Sequence, residues 1–233
     1  MTIGIIGAMN EEIEQIKTEM DVKQTHVKAS VTFYEGTMYN KKIVLCKSGV
    51  GKVNAALTTQ ILIDTFKISA IIFTGVAGAL DEALEVGDLV ISSSAMQHDM
   101  DASPLGFKRG EIPMFDRSSD FEANKPLIAL AENAAKSTLN RNILKGRIVS
   151  GDQFIANPES VQSLREEFNG VCVEMEGAAV AQVASLNDVP FVIIRSMSDK
   201  ANGEASMTFA EFTVLASEQS FLVVREMLKQ VQG

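Results

Sequence analysis

The chain has 233 residues, 46% hydrophobic and 22% charged, enough to bury a substantial core in one domain or at most two. Its formal net charge of −9 argues against a nucleic-acid partner, which would favour a basic face. Cys46 and Cys172 lie far apart in apolar runs and the histidines are His26 and His98, so the pattern holds no CxxC or Cys/His cluster. No metal site is expected, and the cysteines read as buried thiols of a reducing compartment.

The opening MTIGIIGAMNEE has no basic region and meets acids by residue 11, unlike a secretory leader. No apolar run approaches the ~18 residues of a membrane span, so a cytoplasmic protein without membrane contact is expected. From there, short apolar β-rich runs alternate with helical patterns. In chain order the predicted elements are a strand over 2–8, a helix over 10–20, and an antiparallel hairpin of 31–39 and 42–48 about Tyr39-Asn40. A helix over 51–66 and strands over 69–75 and 87–97 follow, then a helix over 125–137, a strand over 144–151 and a helix over 160–168. A strand over 170–174, a helix over 174–187, a strand over 191–199 and an amphipathic closing helix over 208–231 complete the chain.

Several of these strands are continuously apolar, as strands covered on both faces are. The predicted fold is therefore α/β: a single-domain three-layer α/β/α sandwich around a central mixed, largely parallel sheet, spanning 1–233. The stretch 98–122 breaks the pattern. It is long, holds two of the five prolines, and carries Leu105, Phe107, Ile112, Met114 and Phe115 without a period, which favours a lid or a subunit contact over a solvated linker.

Familiar nucleotide motifs fail. In SGVGKVNAA (48–56) a phosphate-binding loop would need glycine at Cys46 and a hydroxyl at Val53, and GIIGAM (4–9) lacks the G-x-G-x-x-G spacing. There is no G-x-S-x-G elbow either. What survives is a set of polar residues at the ends of apolar strands, where open α/β sheets place ligands. The first strand ends in Met9, Glu11 and Glu12, acids that also suit the first turn of a helix. SAIIFTG runs into VAGAL (76–80), small residues that admit a ligand to the backbone or simply make a turn. FVIIR ends in SMSDKA, where Arg195 and Asp199 need partners and could supply each other's. VCVEMEGAAV (171–180) sets Glu174 and Glu176 in an otherwise apolar run, costly unless something compensates them.

GIIGAMNEE, TGVAGAL, QHDMDAS, VSGDQFI, VEMEGAAVA and RSMSDKA followed by FAEF, in this order, resemble the purine nucleoside phosphorylase/nucleosidase superfamily over essentially the whole chain. Within it the pattern is similar to the bacterial nucleosidases of 5′-methylthioadenosine and S-adenosylhomocysteine. The resemblance implies hydrolysis of the N-glycosidic bond of these nucleosides in methionine salvage, by a homodimer that uses no metal or organic cofactor. It also implies that Glu12 is the water-activating base and Asp199 the general acid toward the purine N7. Glu176 would hold the ribose hydroxyls with Met175 against the sugar, Phe154 would stack on adenine, and Ile155 would bond the base through its main chain. Gly78 would lie at the strand-end turn of the site and Arg195 would support the acids. The 5′-alkylthio pocket would draw on Met9, Val50, Met175 and Phe209, completed by Leu105, Phe107 and Pro113 of the partner subunit. Val76 and Ala79 stand where the family often has serine and glycine.

The chemistry is consistent with those residue types. Cleavage develops positive charge on the ribose and negative charge on the leaving base, so an acid at N7 and a carboxylate beneath the sugar both lower the barrier. Phosphorolysis would need arginines to clamp phosphate, yet no arginine precedes Arg109 and the first strand ends in acids. Hydrolysis is the expectation, with a phosphorylase or a non-catalytic nucleoside-binding domain as the alternatives.

Overall fold

The computed structural model describes residues 1–200 and 209–231, with the side chains of the last helix described from Phe212 onward. The first half contains β1 (Thr2–Gly7), α1 (Asn10–Glu19), β2 (Asp21–Lys28), β3 (Val31–Met38), β4 (Lys41–Lys47), α2 (Lys52–Phe66), β5 (Ala70–Ala79) and β6 (Leu89–Gln97). A 3-10 turn at Ser103–Leu105 precedes β7 (Phe121–Glu122) and α3 (Lys125–Thr138). Then come β8 (Ile143–Ser150), α4 (Pro158–Phe168), β9 (Gly170–Glu174), α5 (Gly177–Leu186), β10 (Phe191–Asp199) and α6 (Phe209–Gln230).

Among the described residues, all ten strands join one mixed sheet. Its spine is parallel, with β1 between β4 and β5 and β10 on the far edge of β5. These strands are buried along nearly their whole length, from Ile3, Ile5 and Ile6 through Ile43–Cys46 and Ala70–Phe73 to Phe191–Ile194. Each such aliphatic side chain contributes roughly 1.5–3 kcal/mol on burial. Helices cover both faces. A Cβ added at Gly4 would meet Leu62 of α2, and one added at Gly7, on the opposite face by strand alternation, would meet Ile13 of α1. Around them α6 packs on α1 and α3, and α2 packs on α5.

The sheet departs from a simple open sandwich because β5 changes partners along one edge. Ile3–Ile6 of β1 pair with Ala70–Phe73, whereas Gly78 and Ala79 pair with Val173 and Cys172 of β9. Since β10 pairs with both β5 and β6, the strands β5, β10, β6, β8 and β9 close into a ring. The predicted strand over 69–75 was therefore too short, and Gly78, expected at a turn, sits inside β5.

β2 was not predicted. It is an edge strand exposed at every position except the half-buried His26, so neither face carries the apolar alternation that marks a strand. Its charged surface suits an edge that must not recruit another strand. Ala29 and Ser30 turn it into β3 with φ of 47° and 62°, and Tyr39-Asn40 turns β3 into β4 with 49° and 62°, both two-residue left-handed turns of the hairpin kind. Only the second has the asparagine that signals it.

Candidate active site

The carboxyl ends of β1, β5 and β10 and the turn after β9 surround one cavity of about 340 Å³. Met9 and Glu12 enter from the start of α1, Gly78 from β5 and Asp199 from the end of β10. Met175 and Glu176 come from the turn between β9 and α5. Val50 lies before α2, and Phe154 and Ile155 lie in the loop before α4. Nine residues expected at the site thus share one cavity.

Glu12 is the third residue of α1, and its side chain folds back over the helix start. Oε2 accepts from the Ala8 and Met9 N–H groups at 2.5 and 2.8 Å, and Oε1 accepts from the Val76 N–H at 3.1 Å. The acid that suits a helix start is thus held at the cavity wall by N–H groups of the Ala8–Met9 turn and of β5. Glu11 faces solvent. Burial pushes the Glu12 carboxyl above its ordinary range, opposed by the Arg195 charge and by these three N–H groups.

Glu174 and Glu176 separate by role. Glu174 ends β9 and is bound on all sides: Arg195 Nη2 at 2.6 Å, the Ser150 hydroxyl, the Gly177 N–H at 2.9 and 2.8 Å to its two oxygens, and the Glu176 N–H at 3.2 Å. Ser150 Oγ in turn accepts from the Ala178 N–H at 2.7 Å. This network fixes the start of α5, and therefore its N-cap residue, Glu176. Glu176 Oε1 accepts from the Gly51 N–H at 2.7 Å. Burial, then repulsion from Glu174, pushes its carboxyl up to about 8, against the pull of Arg195 and the Gly51 N–H.

Arg195 is 1% exposed and lies in the middle of β10, beneath the cavity rather than on its wall. The alternative of an Arg195–Asp199 ion pair does not hold, because the arginine's partner is Glu174, 21 residues away in sequence. Its guanidinium carbon stands 4.0 Å from the Phe73 ring centroid. Gly75, its cross-strand neighbour, has no room for a side chain: an added Cβ would run into Glu12 Oε1 and approach Arg195 Nη1 to 2.8 Å. Asp199 follows an irregularity in the β10–β5 register after Met197, the kind of bulge that re-aims side chains at sites. The Ser198 hydroxyl, also in the cavity wall, donates to Asp199 Oδ2 at 2.9 Å.

Three expected residues stand apart. Leu105 is 72% exposed, Pro113 is half-buried, and Phe107 lines a separate cleft with Arg109, Ile112 and Met114. None of the three lines this chain's cavity. The Phe209 side chain lies outside the described residues. Sequence reasoning missed Ser150 and Ser198, single serines whose only signal is their position at the ends of β8 and β10.

A sequence model described as the Phosphorylase superfamily matches residues 2–229. The chain is 42% identical over 231 residues to a Staphylococcus aureus 5′-methylthioadenosine/S-adenosylhomocysteine nucleosidase, covering 98% of this chain and 100% of that protein. The Neisseria meningitidis enzyme of that name, solved with methylthio-immucillin-A, superposes with a TM-score of 0.93 at 38% identity, covering 99% of both chains. A Helicobacter pylori futalosine hydrolase superposes with a TM-score of 0.92 at 35% identity, over 99% of this chain and 98% of that one.

Proposed function

The chain belongs to the phosphorylase superfamily, and from that membership and the acids gathered in its cavity we propose that it hydrolyses the N-glycosidic bond of 5′-methylthioadenosine and S-adenosylhomocysteine. The products are adenine and the 5-substituted ribose. Asp199 donates a proton to the purine N7 as the C1′–N9 electron pair leaves with the base, a step of general acid catalysis that contributes roughly 10²–10⁴-fold. Glu12 orients a water toward C1′ and takes its proton as the C1′–O bond forms. Glu176 accepts hydrogen bonds from the ribose hydroxyls and steadies the positive ring. Phe154 and Ile155 hold the base, and Arg195 acts through Glu174.

One observation favours hydrolysis over phosphorolysis. The described cavity wall contains Glu12, Glu174, Glu176 and Asp199 but no lysine or arginine, so an anionic co-substrate would meet repulsion where a neutral water would not. Adenine release from 5′-methylthioadenosine in phosphate-free buffer is the test: full turnover is expected, and a strict requirement for phosphate would overturn the reading. Running the same assay with futalosine measures whether the activity named for the Helicobacter neighbour is shared. The reading includes a homodimer in which Leu105, Phe107 and Pro113 of one subunit close the alkylthio end of the other's cavity. It also includes a cytoplasmic setting, in keeping with the free, buried thiols of Cys46 and Cys172 and with the absence, among the described residues, of a helix long and apolar enough to cross a membrane.

A further inference from the structure

Behind the cavity three polar residues from distant parts of the chain form a closed cycle. The Lys52 N–H donates to Asp152 Oδ1 at 2.8 Å, the Asp152 N–H donates to Asp99 Oδ2 at 3.0 Å, and Lys52 Nζ donates to Asp99 Oδ1 at 2.6 Å. Lys52 Nζ also donates to Gln97 Oε1 at 3.0 Å, and Gln97 Nε2 donates to Gln182 of α5 at 2.6 Å. The cycle members do not line the cavity, and the chemistry above does not use them. An ordinary surface ion pair would contribute little to stability and nothing to function. Here, however, both oxygens of Asp99 and both the main chain and side chain of Lys52 are engaged, and the paired side chains are only 17% and 21% exposed.

What the cycle joins gives it meaning. Lys52 directly follows Gly51, whose N–H holds Glu176, and Asp152 directly precedes Gln153, Phe154 and Ile155 in the cavity wall. Gly51 reaches Glu176 with φ of 97°, a conformation that does not hold itself in place. Gly151, on the other side, is pressed so closely against His98 and Asp99 that a Cβ would clash with the histidine ring.

We propose that Lys52, Asp99 and Asp152 are positioning residues that lock the Gly51 N–H onto Glu176 and hold the Phe154–Ile155 loop in fixed register with it. The ribose clamp and the base platform then act as one preorganised unit. This rests on the assignment of Glu176 to the ribose. It also makes a prediction that a purely structural ion pair would not. The groups facing Glu176 are Glu174 from β9, Arg195 from β10, Glu12 from α1 and the Gly51 N–H from the turn before α2. Only the last depends on the cycle, and it favours the ionised clamp. Releasing it raises the pH at which Glu176 ionises, so the acid limb of kcat/KM moves to higher pH.

The experiment compares Lys52→Met, Asp99→Asn and Lys52→Arg with the unmodified enzyme, measuring kcat, KM and the pH profile for 5′-methylthioadenosine. Loss of a charge-assisted bond predicts a KM increase of about tenfold in the first two variants, with kcat less affected. Their acid limb should shift upward, and Lys52→Arg should restore both. The double variant should be no worse than its worse parent, since one cycle is broken either way. Asp152 is exposed, so Asp152→Ala supplies a soundly folded chain if a core variant fails, and it must show the same KM rise and limb shift. Folded variants that melt earlier yet keep KM and the limb would overturn the proposal. Failure of the unmodified enzyme to release adenine would strike at the hydrolase reading instead.

Discussion

Three buried carboxylates, Glu12, Glu174 and Glu176, face a single buried guanidinium, Arg195, which Glu174 binds directly. Charge balance then favours a proton on one of the others, and the direction is upward for both Glu12 and Glu176. A carboxyl raised in the fold holds a proton that the unfolded chain would release. Its stabilising contribution is full below the ordinary value of 4.5 and is lost as pH rises through about 8 for Glu176. Glu176→Gln, which cannot ionise, should therefore raise the melting temperature of the ligand-free protein above the upper value and change it little below the lower one. Equal shifts at both ends would mean that Glu176 does not titrate in this window. Gly75 sets a second limit at this scale. Gly75→Ala pushes a methyl between Glu12 and Arg195, and with Glu12 as the proposed base this displacement should cost about 10²-fold in kcat. The accompanying overpacking should cost roughly 1–3 kcal/mol in a thermal melt. A variant of unchanged kcat would show that Glu12 need not be held where it is. The sequence made Glu12, Glu176 and Asp199 visible as acids at strand ends, but not the partner of Arg195, because Glu174 meets it only through the β9–β5–β10 arrangement.

Strands buried on both faces announce themselves by continuous apolar runs, which is why β1, β4, β9 and β10 could be placed closely from the sequence. The same signal fails where it has no physical basis. β2 has no buried face to pattern, and β5 runs on through small residues that look like a turn until β9 pairs with them. The expected helix over 160–168 starts two residues late because it passes over Asn157-Pro158, an N-cap and a first-turn proline that end the loop before α4. Asn157 Oδ1 accepts from the Ser160 N–H at 2.8 Å, anchoring the chain two residues after Ile155. Asn157→Ala should cost about 1 kcal/mol. For a chain of this size that is a loss of roughly 2–4 °C in melting temperature. Asn157→Asp keeps the acceptor and should restore most of it. If the loop's hold on the base depends on this anchor, KM for 5′-methylthioadenosine rises in the alanine variant and recovers in the aspartate one; a KM that follows neither would detach the cap from the site.

At the scale of the molecule, the loop over 98–122, α2 and α5 each carry exposed apolar side chains. Leu105 and Met114 are 72% and 90% exposed, as are Val53 and Leu57 of α2 and Leu186 of α5 to lesser or similar degree. Their elements are neighbours: Arg117 Nη1 of the loop donates to the Ser185 carbonyl of α5 at 2.6 Å, and Asn187 Nδ2 donates to Gln60 of α2 at 2.9 Å. These side chains suit the contact surface of the proposed homodimer. In the proposed two-fold dimer the same surface meets itself, which would let each subunit lend its loop to the other's cavity. This arrangement has a consequence that a monomer could not show. A Glu12→Gln chain has a damaged site but a sound loop, and a Phe107→Ala chain has sound acids but a damaged loop. In a mixed dimer the first chain's loop completes the second chain's cavity, giving one intact site. Random exchange of equal amounts makes half of the dimers mixed, so activity should recover to about a quarter of the unmodified level. Mixed dimers shown to form, with no activity beyond the sum of the parents, would confine Phe107 to its own chain and leave each cavity to be closed from within.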